Sequence, residues 1–322
     1  MGCMGFSHGS GPIPSEEESI EAIRAGLDAG CTFLDTAEGY GPNLLPENIG
    51  HNERILGKAI AGRRDGLALA TKLHVLSAEV ESEPLADVAR RHLAASLDRL
   101  GTDHVELYYL HRINPAIPVE DVAEAMAPLI SEGLVGGWGL SQVTVDTISR
   151  AHAVTPLSAV QNIYSMVERG VEDEVLPYLE DHGIGFVAFS PVFSGLLAGT
   201  VTTDTEFAKE DDVRNFVPQL SRENLAANAP LVELLRDFAQ RKGATPAQIS
   251  LAWMLARWPR VVPIPGSRNK GRILENLGAA DVELSAEELT ELQEALDAIE
   301  VHEHRGFDEA QGRSFLNKTG EH

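Results

Sequence analysis

Two cysteines in 322 residues, Cys3 and Cys31, are too few and too far apart for a metal knuckle, and nothing marks them as a disulfide pair. Positive charge is also scarce. Against 49 Asp and Glu stand 26 Lys and Arg, for a formal net charge of −23. This disfavours a nucleic-acid or anionic-membrane partner, because phosphate surfaces require clustered cations. No apolar run reaches transmembrane length, and the N-terminus lacks the charged start and apolar core of a secretion signal. A reduced, cytoplasmic protein is expected, and Asn317-Lys-Thr319 matches a glycosylation acceptor only in form. No Pro/Ser/Gly-rich linker or low-complexity tract divides the chain, so residues 1–322 are read as a single domain. No Gly-x-Gly-x-x-Gly follows any strand, which excludes the classical dinucleotide fingerprint. The run Gly266-Ser-Arg-Asn-Lys-Gly271 resembles a phosphate loop, but Arg272-Ile273 replaces its Lys-Ser/Thr pair and removes the magnesium-binding hydroxyl.

What is present is the composition of an ordinary globular protein, 43% hydrophobic and 23% charged, organised as one repeating unit. Short apolar runs end near Met4, Leu34, Thr71, Leu110, Leu140, Ile163, Phe189 and Ile264, and helical patterns separate them. Ser15-Glu-Glu-Glu starts one helix ahead of an Ile20/Ile23/Leu27 stripe, and Thr144-Val-Asp starts another before Ile148. Others are expected near His51–Ala61, Pro84–Leu100, Val119–Glu132, Glu172–His182 and Ala229–Lys242. Eight strands alternating with helices predict an α/β fold, a (β/α)8 TIM barrel. Two segments interrupt the repeat. One is a long acidic loop, 192–228, of the kind that serves as a lid. The other is the tail 300–322 with His302, His304 and Phe307, whose His-x-His has no carboxylate or cysteine partner at ligand spacing.

Chemistry-bearing residues fall at like ends of successive strands. Phe33-Leu-Asp-Thr-Ala-Glu-Gly-Tyr-Gly41 places Asp35 and Tyr40 on the turn that ends the second strand; Lys72 ends the third and His111 the fourth. In a parallel barrel these ends share one rim, where ligands bind. Each residue alone has an ordinary structural role: cap, rim charge, packing aromatic, core histidine. Together they suit proton transfer to a carbonyl. Tyr40 is a candidate acid whose high intrinsic pKa a neighbouring Lys72 would lower, with Asp35 pairing Lys72 and His111 orienting the oxygen. A second cluster, Arg268, Lys270 and Arg272 after the buried run ending at Ser267, is the best anion site in this acidic chain.

At this point the chain resembles the aldo-keto reductase superfamily from Gly2 to about Leu296. The resemblance is carried by Asp35-Thr-Ala-Glu-Gly-Tyr40-Gly, Thr71-Lys72, Tyr109-Leu-His111, Gly139-Leu-Ser141, Val160-Gln161-Asn162-Ile-Tyr164, Phe189-Ser190-Pro191, and Pro265-Gly-Ser267 with Arg272-x-x-Glu275-Asn276. It implies a barrel that binds NADPH across its C-terminal rim and reduces carbonyls without a metal. By the same resemblance Asp35, Tyr40, Lys72 and His111 form the catalytic set. Ser141, Gln142 and Gln161 hold the nicotinamide carboxamide, and Phe189 stacks on its ring. Ser190, Gly195 and Leu196 approach the pyrophosphate. Ser267, Arg268 and Arg272 grip the 2′-phosphate, with Glu275 and Asn276 on the adenine. Where the family often has Asn, Tyr and Lys, this chain has Gln142, Phe189 and Gly266; Arg268 is expected to replace the missing cation. His111, rather than the glutamate that carbon–carbon double-bond reductases of this family can carry, favours a carbonyl substrate. The chain begins inside the first strand, where relatives carry a hairpin that plugs the barrel floor, so either an upstream start or a less covered floor is implied.

The substrate is expected to be a small aldehyde or ketone lined by the loop Phe6 to Pro14, the insertion Pro42 to His51, Arg112-Ile113, the long loop and Phe307. Phe6 and His8 are candidate contacts. The competing reading is an NADPH-occupied sensor or regulatory subunit with little turnover; a metal-dependent barrel hydrolase is disfavoured because Lys72 occupies a would-be ligand position.

Overall fold

The strands are short, and several are buried on both faces, as expected where helices cover the outside and side chains fill the inside. In the computed structural model, which describes residues 1–9, 11–43, 45–207 and 212–304, they are β1 (Phe33–Asp35), β2 (Ala68–Leu73), β3 (Val105–Leu110), β4 (Val135–Ser141), β5 (Ala159–Ile163), β6 (Gly185–Phe189) and β7 (Val261–Pro263). All neighbours pair in parallel, in sequence order. Phe307, Asn317 and the tail from residue 305 lie outside the described residues, as do residues 208–211 of the long loop.

The N-terminal segment bridges the two edges of this sheet. Gly2 bridges Asp35 on one side and Gly266 on the other, both in parallel. Cys3 N–H donates to Asp35 O at 2.8 Å, and Asp35 N–H donates to Met1 O at 3.0 Å. The eighth stave of the (β/α)8 barrel is therefore Met1–Cys3. The strand expected to end near Met4 stops earlier, because Met4–Phe6 turns to bury Phe6, which has no exposed surface. Only glycine fits the crossing: a Cβ on Gly2 would lie 2.9 Å from Ile264 O.

Helices cover the strands on the outside. Ser15 caps Glu16–Asp28 through a capping box with Glu18, and this helix puts Ile23 into the core. His51–Ile60, Leu85–Leu100, Val119–Ser131, Val145–Val154 and Ala229–Lys242 lie within a residue or so of their sequence patterns, whereas the helix expected from Glu172 begins at Val175. Pro246–Arg257 escapes periodicity because it is buried nearly all round, Ile249, Leu251, Trp253 and Met254 included. Among the described residues no helix is long and apolar enough to cross a membrane.

The long loop 192–228 is organised over its described part. Leu196, Leu197, Leu220 and Leu225 anchor it in the core. Asp212 bridges Gly9, and Val213 N–H donates to Gly9 O at 3.1 Å, so the loop lies against the turn after the N-terminal stave.

Close packing within the sheet gives a stability test. A Cβ on Gly139 in β4 would sit 2.4 Å from Ala159 O and 2.6 Å from the Tyr109 ring. Backbone on one side and a buried ring on the other cannot both yield, so Gly139→Ala is expected to destabilise by about 1–3 kcal/mol, read as a lowered chemical-denaturation midpoint.

Candidate active site

Three strand ends converge. Asp35 ends β1, Lys72 lies one residue before the end of β2, and His111 follows β3, its N–H donating to Leu73 O at 2.9 Å. From this arrangement Lys72 Nζ donates to Asp35 Oδ1 at 2.5 Å, to Thr36 O at 2.7 Å and to Tyr40 OH at 3.2 Å. Lys72 is fully buried and Asp35 nearly so, while Tyr40 is half-buried at the mouth. The other Asp35 oxygen accepts Gln161 Nε2 at 2.7 Å. Burial alone would depress the Lys72 ammonium, but Asp35 and Tyr40 outweigh it and hold its pKa above the ordinary lysine value. The pair is thus a carboxylate and an ammonium, with one ammonium proton turned to the phenol.

Tyr40 is fixed by the backbone around it. Asn52, at the start of His51–Ile60, donates its N–H to Tyr40 O at 3.1 Å, accepts Thr36 Oγ1 at 2.6 Å, and donates to Cys3 O and Ser7 Oγ at 2.9 and 2.7 Å. One buried amide therefore ties the loop carrying Tyr40 to the N-terminal stave. The Tyr40 ring stands edge-on to His111 at 5.4 Å and to His8 at 5.6 Å between centroids. The His74 ring lies 4.5 Å from that of His111 between centroids. Burial pushes all three imidazoles down, His111 well below its ordinary value and His74 to about 4, so they face the site as neutral rings.

The residues expected around the nicotinamide lie at the ends of β4 and β6 and within β5. Ser141 Oγ accepts Arg112 Nη1 at 3.0 Å, and the Gln161 amide nitrogen is committed to Asp35. Gln142 has φ 58° and turns its Oε1 back to accept Ile163 N–H at 3.2 Å. Phe189 is half-buried at the end of β6, and Ser190, Phe193, Ser194 and Gly195 all follow with positive φ. The side chain of Leu196 is buried in the core, with its N–H donating to Phe193 O.

At the adenosine end, Arg272 is exposed in the first turn of Lys270–Leu277, and Asn269 Oδ1 accepts its N–H at 3.1 Å. That cap takes one of the helix N-terminal amides on which the sequence-based phosphate site relied. Lys270 pairs with Glu21 at 3.0 Å. Arg268 donates to Gly11 O at 3.2 Å and to Pro12 O, so its guanidinium is drawn toward the loop after the N-terminal stave. Ser267 Oγ accepts Asn269 N–H at 3.1 Å. Glu275 is half-buried, and its carbonyl accepts Gln248 Nε2 at 2.9 Å. Asn276 lines an apolar cavity of about 150 Å³ between β7 and the helices Pro246–Arg257 and Lys270–Leu277. Phe6, a candidate substrate contact, is sealed in the core; His8 beside it does reach Tyr40.

Sequence reasoning missed a polar layer behind the loop carrying Tyr40. Glu38 accepts His74 N–H at 2.8 Å and faces His92 Nδ1 at 2.8 Å, while His92 Nε2 faces Glu79 at 2.7 Å. Beside it, fully buried Glu53 accepts Thr71 Oγ1 and Arg99 Nε, each at 2.6 Å. Glu38 lies inside the Asp35-to-Tyr40 motif and was legible in principle; Glu53 lies on the helix His51–Ile60, outside every motif. His92 sits on a distant helix with no local signal.

Stability should therefore depend on pH in both directions. Burial opposes a charge on His92, but Glu38 and Glu79 raise its pKa to about 9. Its stabilisation is complete below the ordinary value of about 6.5 and is lost as pH rises through about 9. His74, held at about 4, contributes in the opposite sense: its share is present above about 6.5 and lost as pH falls toward 4. Thermal melts across pH are expected to peak near neutrality and to fall on both sides.

Comparison with known proteins places this geometry in a class. The chain matches the aldo/keto reductase family over residues 1–297 and belongs to it; it is an oxidoreductase of the class that acts on carbonyl groups. It is 34% identical over 296 residues to aldo-keto reductase str7 of Strobilurus tenacellus, an alignment covering 90% of this chain and 84% of that protein. Among solved structures it is similar to the thermostable aldo-keto reductase Tm1743 in complex with the inhibitor epalrestat, at TM-score 0.71 and 30% identity over 92% of this chain and 93% of that one. It is also similar to an aldo/keto reductase from Klebsiella pneumoniae in complex with NADP and acetate, at TM-score 0.68 and 28% identity over 91% and 89% of the two chains.

Proposed function

We propose that this protein reduces small aldehydes or ketones to alcohols with NADPH, and that Tyr40 is the proton donor. The observation that carries the proposal is the single buried ammonium of Lys72 held between Asp35 and the Tyr40 hydroxyl. Related enzymes solved with NADP or NADPH support the choice of cofactor.

The residues present fit that cofactor. Four non-glycine residues at the ends of β4 and β6, namely Gln142, Ser190, Phe193 and Ser194, adopt left-handed backbone. Such strain persists where a site over-determines it, and here it lies where the nicotinamide and pyrophosphate are expected. Ser141, Gln142 and Gln161 would hold the carboxamide, Phe189 would cover the ring face, and Ser190, Gly195 and Leu196 would flank the pyrophosphate. Ser267, Arg268 and Arg272 would take the 2′-phosphate, with Glu275 and Asn276 near the adenine. Arg268 must first exchange its carbonyl partners in the N-terminal loop for the phosphate. The whole chain, 1–322, serves as one functional unit.

When bound, NADPH supplies the hydride that adds to the carbonyl carbon. The protein stabilises the charge that develops on oxygen. Tyr40 OH donates its proton to that oxygen, and the phenolate left behind is met by the Lys72 ammonium. Asp35 keeps Lys72 charged and aimed. His111, neutral and edge-on to Tyr40, donates a hydrogen bond that orients the oxygen without competing as the acid.

The test is a panel of aromatic and aliphatic aldehydes and ketones incubated with protein and NADPH, followed by loss of reduced-nicotinamide absorbance. Turnover on several members is expected. Tight NADPH binding without turnover on any of them would contradict the proposal and leave a sensor role.

A further inference from the structure

We propose that His92 is a positioning residue for the proton donor: a charged strut, gripped by Glu38 and Glu79, that holds the loop carrying Tyr40 and the strand end carrying His74 in one arrangement. The proposal rests on Tyr40 as the acid and adds a residue from outside the pocket.

Glu38 lies two residues before Tyr40 and is almost fully buried. Its carboxylate accepts His74 N–H at 2.8 Å and receives His92 Nδ1 at 2.8 and 3.0 Å from its two oxygens. On the opposite edge of the ring, His92 Nε2 is 2.7 Å from Glu79 Oε1. Ionised carboxylates only accept, so both ring nitrogens must carry hydrogen, and the ring is an imidazolium. The other charges around it do not replace that contact. Arg99 Nη2 stands 4.0 Å from Glu38 and uses its Nε on Glu53; Arg91 Nη2 shares Glu79 Oε1 with His92, at 3.1 Å against 2.7 Å for the ring nitrogen. His74, the residue after β2, stays neutral, because burial holds its pKa at about 4.

One carboxylate thus organises both groups that face the substrate oxygen. Through its own backbone Glu38 sets the turn to Tyr40, with its carbonyl accepting Gly50 N–H at 2.6 Å. Through the His74 N–H it sets the residue whose ring lies 4.5 Å from His111. If His92 loses its proton, one ring nitrogen presents a lone pair to a carboxylate. That contact turns repulsive, and the loop is released on the Glu38 side or the helix on the Glu79 side. Small misplacements of a reacting group carry large rate costs. The cofactor rim on β4 to β6 and at residues 267–272 is built from other segments, so NADPH affinity should not follow.

The test compares wild type, His92→Gln and His92→Arg. His92→Gln cannot satisfy both carboxylates with donors, and its kcat is expected to fall about ten-fold or more, with the NADPH Kd within about two-fold of wild type. His92→Arg donates to both carboxylates and does not titrate; it should recover most of the lost kcat and show a shallower alkaline decline than wild type. A purely packing role predicts the reverse order, since Arg is the larger misfit. Normal kcat in His92→Gln, or no recovery in His92→Arg, would overturn the proposal. Independently of whether either variant folds, NMR titration of the His92 ring in wild-type protein should give a midpoint near 9; one below about 7 would overturn it too. Tyr40→Phe measured alongside separates the two claims: an inactive Tyr40→Phe with a fully active His92→Gln sinks the strut alone, while an active Tyr40→Phe sinks the reading beneath it.

Discussion

Tyr40→Phe is expected to lower kcat by about 10³-fold while leaving the fold and the NADPH Kd essentially unchanged, because a positioned general acid contributes about 10²–10⁴-fold. The substitution removes one oxygen and little else. Lys72 keeps its bonds to Asp35 and Thr36 O at 2.5 and 2.7 Å, and the ring keeps its edge contacts with His8 and His111. The buried ammonium loses one of its three acceptors but keeps its counter-ion. The loss should therefore fall on kcat and not on binding, which steady-state kinetics together with fluorescence titration of NADPH will separate. A variant with kcat within ten-fold of wild type would mean that another group delivers the proton.

Lys72→Met should have the second largest effect, and a different one. It strips a buried carboxylate of its counter-ion, leaving Asp35 with Gln161 Nε2 as its remaining side-chain donor. Breaking a buried pair from one side costs about 3–5 kcal/mol, so the variant should unfold at markedly lower denaturant as well as lose turnover. The double substitution Asp35→Asn with Lys72→Met removes the stranded charge. It should regain much of the stability but none of the activity, since the ammonium proposed to meet the phenolate left on Tyr40 is still missing. Recovery of both would show that Lys72 matters only for folding.

Much of this arrangement was legible in the chain. Asp35, Lys72 and His111 end apolar runs, and the parallel pairing of β1, β2 and β3 brings them together as the alternation of strands and helices implies. The Asp-to-Tyr spacing identified Tyr40 because the turn is local. Helices with one buried stripe and a capping serine, such as Glu16–Asp28, were legible for the same reason. Other features depend on partners far away in sequence. Pro246–Arg257 has no stripe because neighbours surround it. Arg268 reads as a phosphate ligand, yet its donors meet carbonyls at Gly11 and Pro12, more than two hundred residues away. The first stave is shorter than its apolar run suggests because burying Phe6 costs the chain its extended direction at Met4. His92 finds Glu38 across 54 positions, and no local rule links a histidine on a covering helix to a glutamate in the turn before Tyr40.

The most direct measurement follows the hydride itself. Wild-type protein is incubated with an aldehyde and NADPH deuterated on the transferred position of nicotinamide C4, and the product is analysed by mass spectrometry. An alcohol bearing one deuterium on its carbinol carbon for each NADPH consumed is expected, with the yield at fixed time collapsing in Tyr40→Phe. An unlabelled alcohol, or no alcohol from a protein that binds NADPH, would contradict the proposal.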